Sequence, residues 1–153
     1  MNRSRARARF SLLLVLSLAG TIWAVADSKS GWTAPGEAKS LKNPVPVNEA
    51  TLAAGKAIYT DKCANCHGDK GDGKGPEAGM YAVPPSDFSD PHMMSEMTDG
   101  EIFWKITEGR RPMPSFKKQY TDEQRWQLVN YLRTFSKSAS PSSPLAKPPA
   151  KKH

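Results

Sequence analysis

The chain has 153 residues and a formal net charge of +7. This length suits a single domain. The positive charge belongs to the two ends of the chain, because residues 27–135 contain 14 basic side chains and 15 acidic ones, a net charge of −1. A near-neutral central region excludes a nucleic-acid-binding protein that depends on a basic surface.

Residues 1–26 have the features of an export signal peptide. Four arginines among the first nine residues precede an apolar run at 10–26, which ends in an A-x-A cleavage pattern at Ala24-Val25-Ala26. This run is close to the shortest length that spans a bilayer, so an uncleaved membrane anchor is the alternative to cleavage. In either case we expect the remaining chain to be periplasmic or otherwise extracytoplasmic.

Composition predicts the other boundaries. Residues 27–47 are rich in Gly, Pro, Ser and Lys without periodicity, which indicates a flexible linker. Residues 136–153 contain four prolines, four lysines and no acidic residue, which predicts a disordered basic tail. Residues 48–135 are left as the folded domain.

Three helices are predicted from their start signals. The first follows Asn48, a favourable N-cap residue. The second follows Thr98, which opens a T-D-G-E capping box, and Gly109 is a natural stop. The third follows Thr121, which opens the capping box T-D-E-Q. No segment alternates with period two for long enough to form a strand, so the expected fold class is all-α.

One glycine stands out within the first predicted helix. Gly55 shares a helical face with Leu52, Tyr59 and Cys63. Glycine costs about 1 kcal/mol relative to alanine in a helix interior. Its presence on this face indicates that another helix crosses closely.

The predicted core is small for independent folding. Three short helices with long connections bury little apolar surface, and domains of this size usually need a disulfide, a metal or a cofactor. The sequence therefore favours a bound prosthetic group.

Residues 63–67 form the motif C-x-x-C-H, which is typical of haem attachment. Thiols about one helical turn apart, at Cys63 and Cys66, can reach the two vinyl groups on one edge of a porphyrin. The imidazole of His67 then lies where its Nε2 atom can bind the iron. The motif predicts one covalent haem c with its iron.

Other uses of two cysteines need different surroundings. A disulfide is the simplest alternative in an oxidising compartment. Zinc would need two more ligands, and the remaining histidines are His92 and His153. A thioredoxin-like redox pair needs a βαβ context, and an iron–sulfur cluster needs more thiolates. The histidine directly after the pair, together with export, favours haem.

The iron then has either a second axial ligand or an open position, which separates an electron carrier from an enzyme or ligand binder. Met113 differs from the other methionines because Pro112 and Pro114 would hold its thioether in place. The alternative is a methionine that fills a gap in the core. Among the competing methionines, one of the adjacent pair Met93 and Met94 is predicted to be core.

Residues 48–135 resemble a small bacterial mono-haem cytochrome c of the His/Met-ligated family. The matching stretches are G-K-x-I-Y followed by C-x-x-C-H-G, then G-x-G-x-G-P, T-D-G-E-I, M-P-x-F and W-x-L-V-x-Y-L, in chain order. This resemblance implies a cytochrome c-like fold with three main helices around one covalent haem.

The resemblance also implies a role for each site residue. Cys63 and Cys66 would attach the haem, and His67 and Met113 would be the two iron ligands. The carbonyl of Pro76 would accept a hydrogen bond from Nδ1–H of His67, which orients a ligating imidazole.

The predicted function is an electron carrier, not an enzyme, that cycles between Fe(II) and Fe(III) and meets redox proteins transiently as donors and acceptors. One alternative is a fixed haem subunit of a membrane redox complex. Another is an open-site ligand binder, which requires that Met113 is no ligand. An uncleaved signal or the basic tail would give membrane association, and no nucleic-acid partner is expected.

Overall fold

The computed structural model describes residues 31–138, so the predicted signal peptide and residues 139–153 of the predicted tail lie outside the described range. The described residues form six α-helices and a short 3₁₀ turn. They are α1 (Gly36–Ser40), α2 (Glu49–Lys62), α3 (Ala64–His67), the 3₁₀ turn (Ala78–Met80), α4 (Pro91–Glu96), α5 (Asp99–Glu108) and α6 (Asp122–Ser138).

The all-α fold class is confirmed, and α2, α5 and α6 are the three predicted main helices. Across residues 31–138 there is no β-strand. An isolated antiparallel β-bridge joins the backbones of Arg110 and Met113. Helix α6 packs against α2, α4 and α5, so it is the common partner of the other large elements.

The three predicted helix starts are correct because side-chain caps form at each. The Asn48 side chain accepts a hydrogen bond from the N–H of Thr51 (2.9 Å), and the Thr51 hydroxyl accepts one from the N–H of Asn48 (3.1 Å). Thr98 caps α5 through its hydroxyl. Thr121 and Gln124 form the reciprocal pair at the start of α6, with distances of 3.2 and 2.9 Å. These local bonds pair N–H groups that have no partner within the helix.

Helices α2 and α6 cross in close contact at Gly55, as its position on the helix predicts. A Cβ atom at Gly55 would lie 2.2 Å from the carbonyl oxygen of Gln127 and 2.9 Å from the Cβ atom of Tyr131. No side chain fits in this space. Glycine is therefore the residue that lets the two helices approach this closely.

Aromatic and aliphatic side chains fill the core around this crossing. The ring of Tyr59 lies 5.5 Å from that of Tyr131 and 4.9 Å from that of Phe135, measured between centroids. Met94, which is 1% exposed, extends the core to α4 and is the core methionine expected of its pair. Further buried side chains come from α5 and α6 and include Ile102, Ile106, Leu128, Val129 and Leu132.

The segment before α2 differs from the flexible linker that composition predicts. Within residues 32–45, helix α1 packs against α5 and two alanines are buried. The side chain of Asn43 donates hydrogen bonds to the carbonyl oxygen of Trp126 (3.1 Å) and to Oδ1 of Asn130 (2.8 Å), both in α6. Tertiary contacts of this kind leave no periodic pattern in so short a segment. We call residues 32–45 the N-terminal strap.

The C-terminal boundary also differs slightly from the prediction. Helix α6 continues to Ser138, three residues inside the stretch assigned to the tail. The sequence contains no helix breaker before Pro141, so the helix extends past its last buried residue, Phe135. None of the helices within residues 31–138 has the length and apolar character needed to span a bilayer.

Replacing Gly55 with alanine should destabilise the haem-loaded protein by about 1–3 kcal/mol, because a new Cβ forces the α2 and α6 backbones apart. The better helix propensity of alanine offsets part of this loss. Denaturant titration measures the change in the free energy of unfolding.

Gly79→Ala is the matched control, since a Cβ at Gly79 meets nothing within 4 Å. We expect its unfolding free energy to stay within about 0.5 kcal/mol of the wild type. Equal stability of the Gly55→Ala variant and the control would contradict the close crossing.

Candidate haem site

The C-x-x-C-H motif lies at the junction of α2 and α3. The N–H of Cys63 donates to the carbonyl of Tyr59 (2.8 Å) at the end of α2, and the N–H of His67 donates to the carbonyl of Cys63 (2.9 Å). The intervening residues therefore form a single helical turn. This turn gives Cys63 and Cys66 the spacing that two thioether bonds to one porphyrin edge require.

Cys63 and Cys66 are half-buried free thiols, so they do not form the disulfide that was the simplest alternative to haem. Burial raises the pKa of Cys63 to about 12, with a smaller contribution from the neighbouring Cys66. The pKa of Cys66 is also raised, first by burial and then by the carboxylate of Glu77. The Sγ atom of Cys66 lies 3.8 Å from Oε2 of Glu77.

The glycine-rich stretch after the motif folds back onto it. The N–H of Gly73 donates to the carbonyl of His67 (2.9 Å), and that of Gly75 donates to the carbonyl of Cys66 (3.1 Å). A Cβ at Gly75 would lie 2.3 Å from the carbonyl oxygen of Asn65, so only glycine permits this approach. Pro76 follows directly and lies beside the motif in consequence.

Tyr59 connects the helix crossing to the haem motif. Its ring packs between α6 side chains, and its hydroxyl donates a buried hydrogen bond of 2.6 Å to the carbonyl oxygen of Gly68, directly after His67. Burial raises the pKa of Tyr59, so the hydroxyl stays a donor at ordinary pH. The close contact between α2 and α6 thereby holds the backbone at the end of the motif.

His67 is held by two contacts from one loop. Its Nδ1 atom lies 3.1 Å from the carbonyl oxygen of Ser86, and its ring stacks on Phe88 with centroids 4.6 Å apart and planes 21° apart. These contacts leave the Nε2 atom of His67 available to bind a metal. Burial lowers the pKa of His67, opposed by the hydrogen bond to Ser86. Neutral imidazole is the form that binds metals.

The partner of His67 differs from the one implied by the resemblance, which was Pro76. Ser86 supplies the carbonyl because its loop is fastened to the glycine-rich stretch. The N–H of Phe88 donates to the carbonyl of Gly71 (2.6 Å). This loop has the sequence P-P-S-D-F at 84–88, and its spacing from the C-x-x-C-H motif gives no signal for the contact with His67.

The loop that carries Met113 is fastened to the end of α5. The N–H of Arg110 donates to the carbonyl of Met113 (3.0 Å), the N–H of Phe116 donates to the carbonyl of Ile106 (3.1 Å), and the Ser115 hydroxyl donates to the α5 backbone. Met113 itself is half-buried and packs against the core. The backbone on both sides of Met113 is thus fixed, and its side chain is half-buried against the core.

The other methionines in the described range have different surroundings. Met80 is 74% exposed, and Met94 is enclosed by the core. The Sδ atom of Met97 lies 3.4 Å from Nζ of Lys105, which donates to it. Met93 is half-buried against the core, as Met113 is, and is therefore the competing thioether.

The donor set suits a haem. A His/Met-ligated haem c requires two thiols, an imidazole with an available Nε2 atom and a thioether. Cys63 and Cys66 lie on one helical turn, His67 has its Nδ1 atom at the carbonyl of Ser86, and Met113 is half-buried on a fastened loop. In residues 31–138 no three or more His, Cys, Asp and Glu side chains are grouped so as to hold a metal ion, which is what the zinc alternative required.

Residues 50–132 match the protein family described as cytochrome c oxidase, cbb3-type, subunit III. The match spans more than half of the chain. The chain belongs to this family of c-type cytochromes. The cytochrome has the all-helical cytochrome c-like fold, carries covalently bound haem c with its iron, and is an electron-transfer haem protein, as the motif predicts.

Similar proteins include larger redox proteins. Thiosulfate dehydrogenase of Stutzerimonas stutzeri (strain A1501) is 41% identical over 64 residues, which are 41% of this cytochrome and 20% of that protein. A chain of the Kuenenia stuttgartiensis reducing HAO-like protein complex Kustc0457/Kustc0458 is 31% identical with a TM-score of 0.52, covering 62% of this cytochrome and 49% of that chain.

A third relative is the KustC0563 c-type cytochrome, which is 30% identical with a TM-score of 0.47 and is matched over 53% of this cytochrome and 95% of that chain. The cytochrome thus spans about a fifth of the dehydrogenase and about half of the HAO-like chain.

Covalent attachment through both thiols predicts a specific mass. The purified protein should have the mass of its polypeptide plus one haem, and acid–organic extraction should leave the colour with the protein. The Cys63→Ser/Cys66→Ser variant should have the mass of the polypeptide alone, because near-isosteric hydroxyls form no thioether bonds.

The haem-free variant should also lose its cooperative thermal transition, since the three main helices bury too little by themselves. Extractable haem from the wild type, or haem mass retained by the double variant, would contradict attachment at these two residues.

Proposed function

We propose that this cytochrome is an extracytoplasmic electron carrier, not an enzyme, in which His67 and Met113 are the two axial ligands of the haem iron. The bound haem would supply a one-electron Fe(III)/Fe(II) couple. If His67 and Met113 both hold the iron, no coordination position would be left for a substrate.

The proximal half of this proposal rests on the contacts of His67. The Ser86 carbonyl at Nδ1 and the stacked ring of Phe88 fix both the orientation and the tautomer of the imidazole. A carbonyl at Nδ1 requires the proton there, so the lone pair is on Nε2. This is the arrangement that a permanent iron ligand needs.

The observation that carries the proposal is the fastening of the Met113 loop. Met113 is half-buried, and the backbone on each side of it is bonded to α5 or across the loop. An open-site ligand binder would need this thioether to lie away from the iron. A half-buried thioether on a fastened loop would favour a site with no open position at the iron.

The same contacts suit rapid electron exchange. A neutral thioether in a water-poor pocket disfavours the more charged ferric state and raises the reduction potential. Rigid ligands also limit rearrangement between the two oxidation states. Redox proteins that give and accept single electrons are the corresponding transient partners.

The extracytoplasmic location is supported by the A-x-A pattern that ends residues 1–26. Whether the signal is cleaved separates a free carrier from an anchored one. N-terminal sequencing of the mature protein, together with its recovery in washed membranes or in the soluble fraction, decides between these two forms.

A second candidate is a haem subunit of a larger redox complex. The matched family is described as an oxidase subunit, and the HAO-like relative comes from a solved protein complex. Size-exclusion chromatography of the protein from its native membrane or periplasmic fraction discriminates the two. A free carrier elutes near its own mass, and a fixed subunit elutes with its partners.

The axial assignment is tested by replacing Met113 with alanine. We expect the variant to lose the sulfur–iron charge-transfer band of the ferric protein. It should also bind imidazole about tenfold more tightly or better, because no internal ligand competes for the iron.

Met93→Ala is the matched control, since Met93 is the other half-buried methionine of the described residues that packs on the core without a bonded sulfur. We expect it to keep the band and the wild-type imidazole affinity. A band that survives in Met113→Ala but disappears in Met93→Ala would overturn the assignment.

A further inference from the structure

The N-terminal strap, residues 32–45, lies outside the part of the chain that matches the family, which begins at residue 50. It nevertheless packs on α5, and its first residue, Trp32, lies beside the loop that carries Met113. The family match therefore assigns no role to the contacts of the strap.

Two anchors fix the strap to the helices. A Cβ at Gly100 would lie 2.0 Å from the carbonyl oxygen of Ala38, so α1 and α5 are in direct backbone contact. At the other anchor, Asn43 bonds to α6, and the side chain of Asn130 donates back to the carbonyl of Val45 (3.2 Å). The strap is therefore held along its length.

The N-terminal end of the strap carries Trp32, whose ring meets the C-terminal part of α5 and the loop that follows. The centroid lies 6.5 Å from that of Trp104, 5.6 Å from Nζ of Lys105 and 5.1 Å from Cζ of Arg110. Lys105 is itself fixed by an ion pair of 3.0 Å with Glu101. Cations over an indole face attract it electrostatically.

Arg110 links this cluster to the proposed iron ligand. Its side chain lies over Trp32, while its backbone N–H donates to the carbonyl of Met113 and forms the isolated bridge with that residue. One residue thus contacts the strap through its guanidinium and the ligand loop through its backbone.

We propose that Trp32 is a positioning residue for the axial ligand: by holding Arg110, it favours the loop conformation in which the thioether of Met113 is bound to iron. This inference rests on Met113 being the ligand, as proposed above. The strap then acts as a brace that shifts the loop towards its closed form.

A brace of this kind acts on an equilibrium between a closed loop and an open one. An external ligand such as imidazole binds only the open form, so its apparent affinity is set by the open fraction. Loss of one cation–π contact at a half-buried site should raise the open fraction, and hence the imidazole affinity, about three- to tenfold.

The test is an imidazole titration of the full-length, haem-loaded ferric protein, followed through the sulfur–iron charge-transfer band. We expect Trp32→Ala to bind imidazole about three- to tenfold more tightly than the wild type. Trp32→Phe, which keeps an aromatic face for the cation, should remain near the wild type.

Arg110→Gln approaches the same contact from the other side and leaves the strap intact. It should shift the imidazole affinity in the same direction, and combining it with Trp32→Ala should add little, since both changes remove one contact. This variant also keeps the proposal testable if Trp32→Ala fails to accumulate.

Asn48→Ala is the control for a general loss of stability, because it removes the N-cap of α2 and belongs neither to the strap nor to the Met113 loop. It should lower the melting temperature without changing the imidazole affinity. A wild-type affinity in both Trp32→Ala and Arg110→Gln, or an equal shift in Asn48→Ala, overturns the proposal.

Met113→Ala in the same titration separates the two levels of inference. If it binds imidazole no better than the wild type, Met113 is not the ligand and the proposed function fails together with the brace. If it binds more tightly while the Trp32 and Arg110 variants do not, the brace alone is wrong.

Discussion

The close crossing of α2 and α6 at Gly55 is the contact on which the haem site depends. Because the two backbones touch there, the end of α2 lies beside α6, and Tyr59 packs between α6 side chains. The hydroxyl of Tyr59 then holds the carbonyl of Gly68 directly after the motif. A side chain at Gly55 would separate the helices and displace the cysteines from the rest of the core.

Helix α6 also joins the two halves of the proposed site. It packs against α2, which leads into the C-x-x-C-H turn, and against α5, which leads into the Met113 loop. Arg133 of α6 adds polar contacts to the α4–α5 junction, through an ion pair of 2.7 Å with Asp99 and a hydrogen bond of 2.6 Å to the carbonyl of Met97. The two proposed iron ligands, His67 and Met113, therefore lie on segments that are joined through α6.

Those features that depend on neighbours in sequence were predictable. The caps at Asn48, Thr98 and Thr121, and the single turn that spaces the cysteines, are local and were placed correctly. The strap was not, because its helix has only five residues and the strap is held by tertiary contacts, through α1 to α5 and through Asn43 to α6. Ser86 likewise reaches His67 from 19 residues away through a loop fold that no spacing pattern encodes.

The visible spectrum of the purified wild-type protein, oxidised and then reduced, tests the central claim most directly, because haem attachment and both axial ligands determine it together. One covalent haem between His67 and Met113 predicts a low-spin c-type spectrum in both states, with a sulfur–iron charge-transfer band in the oxidised form. A high-spin spectrum, or the spectrum of a haem without thioether bonds, would contradict the account.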